Sequence, residues 1–161
     1  MSITYLEQER IFRLDTPNTT YLIGLVGTEG LLGHIYYGRR LCSARGAELF
    51  LRTQEHPYTP DTNARERVAI MDSFPAEYSG HGVGDFRESS VRVRDKNGCS
   101  GVQLTYLCHE IYDGKKPLEG LPATFGGERE VTTLVITCED KALGLLARLS
   151  YSVFEDTDAI A

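Results

Sequence analysis

Short apolar runs with alternating polar positions recur along the chain, and turn-forming residues separate them. Residues 21–26 (YLIGLV) end at Gly27, and residues 31–37 resume with aromatic and β-branched side chains before Gly38. Runs of this length and composition are typical of β-strands. Only residues 63–72 show a short helical pattern, while 16 glycines and 6 prolines punctuate the rest of the chain. The pattern therefore predicts an all-β protein.

Two hairpins are predicted in the second half of the chain. Residues 91–94 alternate apolar and charged side chains, the turn 95–98 ends in Asn-Gly, and residues 102–112 form the return strand. Residues 133–138 and 145–154 flank a second turn. In this second return strand one face carries the apolar residues and should be core, namely Leu145, Ala147, Leu149, Tyr151 and Val153.

Regularly spaced strands without intervening helices indicate an antiparallel β-sandwich made of two sheets. A chain of 161 residues has the usual size of one domain, so we expect a single domain over residues 1–161. Residues 153–161 stop on an apolar rise, which predicts that the sandwich is incomplete at its C-terminus.

Composition narrows the choice of partners. The net charge of -6, with no cluster of Lys and Arg, makes nucleic acid an unfavourable partner. The start lacks the pattern of a signal peptide and no apolar run approaches the length of a membrane span, so we expect a cytoplasmic protein. The 4 cysteines form no CxxC pair and are expected to be reduced, buried small residues. We expect no metal and no cofactor.

The segment from Gly80 to Glu88 contains the strongest candidate chemistry. Three glycines are followed by Asp85, Phe86 and Arg87. Glycines allow positive φ and close approach of a backbone, and an acid beside a base can bracket sugar hydroxyl groups. If residues 85–88 are extended, Asp85 and Arg87 share one face. The alternative is an ordinary turn with a surface ion pair.

Further motifs follow in a fixed order along the chain: IFRL (11–14), LGHIYYGRRL (32–41), EY (77–78), GDFRE (84–88), HEIYDGK (109–115), LEGLPAT (118–124) and LSYSVFED (149–156). In this order and spacing the chain resembles the N-terminal domain of the bacterial α-galactosidases of glycoside hydrolase family 36. The resemblance implies a large, galactose-mutarotase-like supersandwich that precedes a (β/α)₈ barrel. It also implies hydrolysis of terminal α-D-galactosyl residues from galacto-oligosaccharides such as melibiose and raffinose.

The resemblance places both catalytic aspartates of this retaining reaction on the barrel, beyond residue 161. The chain should then hold no catalytic residue and be inactive alone. Within it, Asp85 and Glu88 make a poor pair, because an odd spacing on a strand directs them to opposite faces.

The resemblance also implies that loops of this domain help close the sugar pocket of a neighbouring subunit in a tetramer. The candidates for substrate binding or for the subunit interface are Gln54, Glu55, Asp85, Phe86 and Arg87. Gln54 or Glu55 stands where some members of the family carry an Asp that binds a galactose hydroxyl. The alternative for residues 52–56 is a solvated polar turn.

A free-standing carbohydrate-binding or oligomerisation module is the competing function. Its sugar-stacking candidates are Tyr36, Tyr37, Tyr58, Tyr78 and Phe86, all of which could instead pack in a core. His34 and His109 lie within apolar strands and are expected to be hydrogen-bonded structural residues, whereas His81 could contact sugar or a subunit.

Overall fold

The computed structural model describes residues 2–50, 74–85, 87–126 and 130–161. In these ranges seven strands form two antiparallel sheets. The strands are β1 (Ile3–Leu6), β2 (Ile11–Asp15), β3 (Thr19–Val26), β4 (Leu31–Arg39), β5 (Thr105–Asp113), β6 (Val131–Asp140) and β7 (Leu145–Phe154), and a 3₁₀ turn covers Ala47–Phe50. The predicted all-β, two-sheet architecture is confirmed. No helix among the described residues is long and apolar enough to cross a membrane.

The first sheet is a meander in the order β1-β2-β3-β4. The turn between β3 and β4 uses Gly27 and Gly30, both at positive φ. Beside β4, a short segment extends the sheet through the bridge between Gly33 and Ala76. The Glu77 amide donates to the Leu32 carbonyl at 3.0 Å, so this segment forms an outer edge of the first sheet.

The second sheet has the order β5-β6-β7 and contains the predicted hairpin of residues 133–154. All five apolar residues assigned to the inner face of β7 pack against the core. The opposite face carries Arg148 and Ser150 together with an exposed Leu146. Ser152 on this face is fully buried, and its hydroxyl lies 3.0 Å from that of Thr133.

The other predicted hairpin, around residues 95–98, is wrong. The turn itself forms, because the Asp95 carboxylate accepts from the amides of Asn97 and Cys99 at 2.8 and 2.7 Å. Residues 91–94 are not a strand, and β5 begins only at Thr105 and pairs with β6. The Asp95 side chain stabilises the turn without strand pairing on either side of it. β5 pairs instead with β6, along most of its length.

The core lies between the sheets. Phe12, Leu14 and Ile23 from the first sheet meet Leu134 and Ile136 from the second. Alternating side chains direct these residues between the sheets. The first sheet is also apolar on its other face, where Ile11, Leu22 and Ile35 pack with Ala44 and Ala47. Burial of these apolar side chains is the main source of stability.

His109 is half-buried beside this core. The Tyr106 hydroxyl lies 2.7 Å from its Nδ1 atom, and the Phe12 ring meets the imidazole edge-on at 5.0 Å. Burial lowers the pKa of His109, so the ring is neutral at physiological pH. His34 likewise has a partner, the Tyr21 hydroxyl at 3.4 Å. Both histidines are the hydrogen-bonded residues that were predicted.

The cysteines depart from expectation in their burial. All are free thiols, but Cys42, Cys99 and Cys108 are exposed and only Cys138 is buried. Cys42 follows the end of β4 and Cys99 belongs to the Asp95 turn, so neither lies on a strand face that packs inward.

The last residues lie beside β7. The amide and carbonyl of Ser152 exchange hydrogen bonds with those of Ala161 at 2.7 and 2.9 Å. The Asp158 carboxylate accepts from the Thr16 hydroxyl at 2.8 Å and from the Asn18 amide at 2.7 Å. The chain end is thereby tied to both sheets.

Candidate functional site

The glycine-rich loop, defined as residues 79–90, is closed at its base by two serines. The Ser90 amide donates to the Ser79 carbonyl at 3.0 Å and to the Ser79 hydroxyl at 3.1 Å. Inside the loop, the Asp85 amide donates to the Gly82 carbonyl at 3.1 Å and forms a tight turn. These bonds give the described part of the loop a defined shape.

Its glycines are needed for two different reasons. Gly82 and Gly84 have φ of 73° and 84°, as predicted from the sequence, and such values favour glycine. At Gly80 the reason is space, because an added Cβ would lie 2.1 Å from the Val102 carbonyl oxygen. The close approach made by Gly80 is thus to its own chain.

Asp85 and Arg87 form a bidentate ion pair. Arg87 Nε lies 2.9 Å from Asp85 Oδ1 and Arg87 Nη2 lies 2.9 Å from Oδ2. The Arg87 amide also donates to Asp85 Oδ1 at 3.0 Å, and the described residues 87–90 do not form a strand. Arg87 Nη1 donates to the Phe74 carbonyl at 2.8 Å. The predicted pairing of this acid and base is present.

The two members of the pair differ in exposure. The Asp85 side chain is fully buried, whereas 39% of the Arg87 side chain is exposed. Burial raises the pKa of the Asp85 carboxyl, but hydrogen bonds from the Arg87 side chain and backbone, with the guanidinium charge, outweigh it and hold that pKa below its ordinary value of 3.8. The pair therefore offers a fixed guanidinium to the outside, and its carboxylate faces inward.

A second polar cluster lies at the start of the loop and was missed by sequence reasoning. Glu77 Oε1 accepts hydrogen bonds from the Tyr21 hydroxyl on β3 at 2.6 Å and from the Tyr151 hydroxyl on β7 at 2.7 Å. Burial first, and then Glu77, raises the pKa of both tyrosines above the ordinary value of 10.0. The available signal was the prediction that Tyr151 faces the core, because a buried phenol needs a polar partner.

The other candidates are placed as follows. Gln54, Glu55, Phe86 and Tyr58 lie outside the described residues. His81 is half-buried in the loop, and its carbonyl accepts from the Val102 amide at 2.9 Å. Tyr37 is 57% exposed and Tyr78 is 36% exposed, so both present ring surface. In the part of the chain that the structure describes, no group of three His, Cys, Asp or Glu side chains could hold a metal ion.

Comparison with known proteins identifies the family of this chain. The model of the glycosyl hydrolase family 36 N-terminal domain matches residues 30–161. This chain belongs to that family. The chain is 34% identical over 161 residues to the α-galactosidase AgaA of Geobacillus stearothermophilus, covering 99% of this chain and 22% of that protein. It is 32% identical to the bifunctional α-galactosidase/sucrose kinase AgaSK of Mediterraneibacter gnavus, covering 99% of this chain and 17% of that protein.

Solved structures agree with the fold of this family 36 domain. The galactosidase domain of AgaSK superposes with a TM-score of 0.88 at 31% identity, over 98% of this chain and 22% of that one. A variant of AgaA in complex with raffinose superposes with a TM-score of 0.83 at 34% identity, over 93% of this chain and 21% of that one. The chain thus spans about a fifth of the length of these relatives.

Proposed function

We propose that this chain is the amino-terminal, non-catalytic domain of an α-galactosidase that removes terminal α-D-galactosyl residues from galacto-oligosaccharides such as melibiose and raffinose. The observation that carries the proposal is the match along 99% of the chain to the α-galactosidase AgaA. The raffinose complex of an AgaA variant supports the substrate class. The proposed location is the cytoplasm, and the proposed domain needs no cofactor.

The chemistry is proposed to occur outside residues 1–161, on a barrel domain. Retaining glycoside hydrolysis uses two carboxyl groups about 5 Å apart, one acting as nucleophile and one as acid and base. In the loop, the Asp85 carboxylate is held by Arg87, and the Glu88 carboxylate lies 2.6 Å from Arg92. The Asp85 carboxylate, buried and paired with Arg87, is unsuited to either role, so we expect the 161-residue chain alone to leave galactosides intact.

The proposed role of the glycine-rich loop is to help close the sugar pocket of a neighbouring subunit, or to build the contact between subunits of a tetramer. Arg87 supports this role, because Asp85 and the Phe74 carbonyl fix a partly exposed guanidinium before any partner arrives. A donor group that is already fixed loses little entropy on binding a hydroxyl or a neighbouring chain. Gln54, Glu55 and Phe86 are proposed to contribute to the same surface.

The test is Arg87→Ala in the full-length protein, with Arg94→Ala, an exposed arginine of the following segment, as the matched control. We expect kcat/KM for raffinose to fall by about tenfold or more through a loosened pocket. A raised KM with an unchanged oligomer would identify a pocket contact, and loss of the oligomer in light scattering would identify a subunit contact. Unchanged kinetics and an unchanged oligomer, in a variant that unfolds like the parent, would refute the proposed role.

A further inference from the structure

Glu77 connects three parts of the molecule. Its amide is held by the Leu32 carbonyl at the edge of the first sheet, at 3.0 Å. Its carboxylate accepts from Tyr21 of the first sheet and from Tyr151 of the second, at 2.6 and 2.7 Å. One side chain thus fixes the end of the edge segment against both sheets at once.

The glycine-rich loop begins two residues later and returns to this same segment. Ser79 closes the base of the loop on Ser90, and Arg87 Nη1 reaches back to the Phe74 carbonyl at 2.8 Å. Phe74 is buried and packs with Val26 and Leu31. Phe74 and Ser79 therefore flank Glu77 in the chain. Phe74 binds Arg87, and Ser79 closes the base of the loop that carries it.

We infer that Glu77 is a positioning residue that sets the place of the Arg87 guanidinium through the segment 74–77. The inference concerns the geometry of the loop, and its consequence for activity rests on the proposed function above. A shift of this segment would move the carbonyl that orients Arg87, whereas the ion pair to Asp85 would travel with the loop. Glu77 need not touch substrate to affect it.

The carboxylate suits this task better than an amide. Both phenols donate to Glu77 Oε1, and the Tyr21 hydroxyl also lies 2.5 Å from Oε2, so the carboxylate accepts through both of its oxygens. A glutamine of nearly the same shape keeps one accepting oxygen and brings an N–H₂ group toward a phenol. Glu77→Gln is therefore a mild change that weakens the connection to the sheets and leaves the packing volume unchanged.

The first test measures hydrogen exchange in the full-length protein. Glu77→Gln should speed the exchange of the Asp85 and Ser90 amides by about tenfold or more, whereas the Leu25 amide in the first sheet should be unaffected. The matched control is Glu110→Gln, an exposed glutamate on β5, which should change neither region. Unchanged exchange in the loop, or equal acceleration everywhere, would overturn the inference.

The second test is a double-mutant cycle on raffinose hydrolysis. Glu77→Gln should raise KM more than it lowers kcat, with kcat/KM reduced about tenfold. If Glu77 acts by placing Arg87, the double variant Glu77→Gln/Arg87→Ala should match Arg87→Ala alone. A purely structural effect would instead multiply the two losses and overturn the inference.

The two proposals fail in different ways. If Arg87→Ala lowers kcat/KM and Glu77→Gln does not, the positioning role is wrong and the proposed function stands. If Arg87→Ala leaves activity and assembly unchanged while Glu77→Gln still accelerates exchange in the loop, the proposed role of the loop is wrong and Glu77 still positions it. Tyr151→Phe removes one of the two phenol donors and gives a milder variant should Glu77→Gln fold poorly.

Discussion

Gly80 lies so close to Val102 that a Cβ at residue 80 would be 2.1 Å from the Val102 carbonyl oxygen. The backbone must move to admit any side chain there, because a carbonyl cannot rotate away as the end of a side chain can. The contact is local support for the base of the glycine-rich loop.

Gly80→Ala should therefore lower the free energy of unfolding by about 1–3 kcal/mol, the usual cost of overpacking. Gly101→Ala is the control, since its Cβ would meet only the Val83 side chain, at 3.4 Å. Urea unfolding of both variants measures the difference. Equal stabilities of the two variants would contradict the close contact.

Asp85→Asn should remove a charged partner from Arg87 and lower the free energy of unfolding at neutral pH by about 1–3 kcal/mol. Because the pKa of Asp85 is held below 3.8, its stabilisation is complete above that ordinary value and is lost as the pH falls through the folded value. The wild-type and variant proteins should therefore approach each other in stability as the pH falls below 3.8 and through the lower folded pKa of Asp85. Urea unfolding at neutral and acid pH measures the difference in stability between the two proteins, with Asp113→Asn, at an exposed residue, as the control. A difference that stays constant with pH would contradict the prediction.

His109 should make the fold sensitive to mild acid. Burial lowers its pKa in the folded protein, so the unfolded chain takes up a proton first as the pH falls below 6.5. Stability is then complete above that pH and declines as the pH approaches the lower folded value. Titration of the imidazole by NMR and unfolding curves across this range test the expectation, and His109→Gln should flatten the decline. A folded pKa at or above 6.5 would refute it.

The phenols of Tyr21 and Tyr151 predict that the stability of the fold also falls at alkaline pH. Their pKa values are raised in the folded protein, so their stabilisation is complete below the ordinary value of 10.0 and is lost as the pH rises above it. The double variant Tyr21→Phe/Tyr151→Phe should lose about 1–3 kcal/mol at neutral pH and show less alkaline sensitivity. Tyr112→Phe, whose ring contacts Lys116, is the control. An alkaline transition of the same size in the double variant would exclude this origin.

Local patterns in the sequence predicted the local parts of this structure. The alternation along β7 predicted its inner face. The pairing of Asp85 with Arg87 was also predicted, although it forms without the strand that this prediction assumed. The predicted hairpin at residues 95–98 is wrong because β5 pairs with β6, and that pairing depends on the whole sheet. The sequence does not predict the hydrogen bonds of Glu77, because its partners Tyr21 and Tyr151 lie 56 and 74 residues away in the chain. Such distant pairings are set by packing of the two sheets and leave no periodic signal.

The hydrogen bond from Thr16 to Asp158 joins residues 142 positions apart. During synthesis the turn between β2 and β3 leaves the ribosome long before its partner exists, and closing so large a loop is entropically slow. Until residue 158 arrives, this turn lacks the carboxylate that accepts from Thr16 and Asn18. A nascent chain halted before that point should be more open to proteases around residues 16–18 than one released after it.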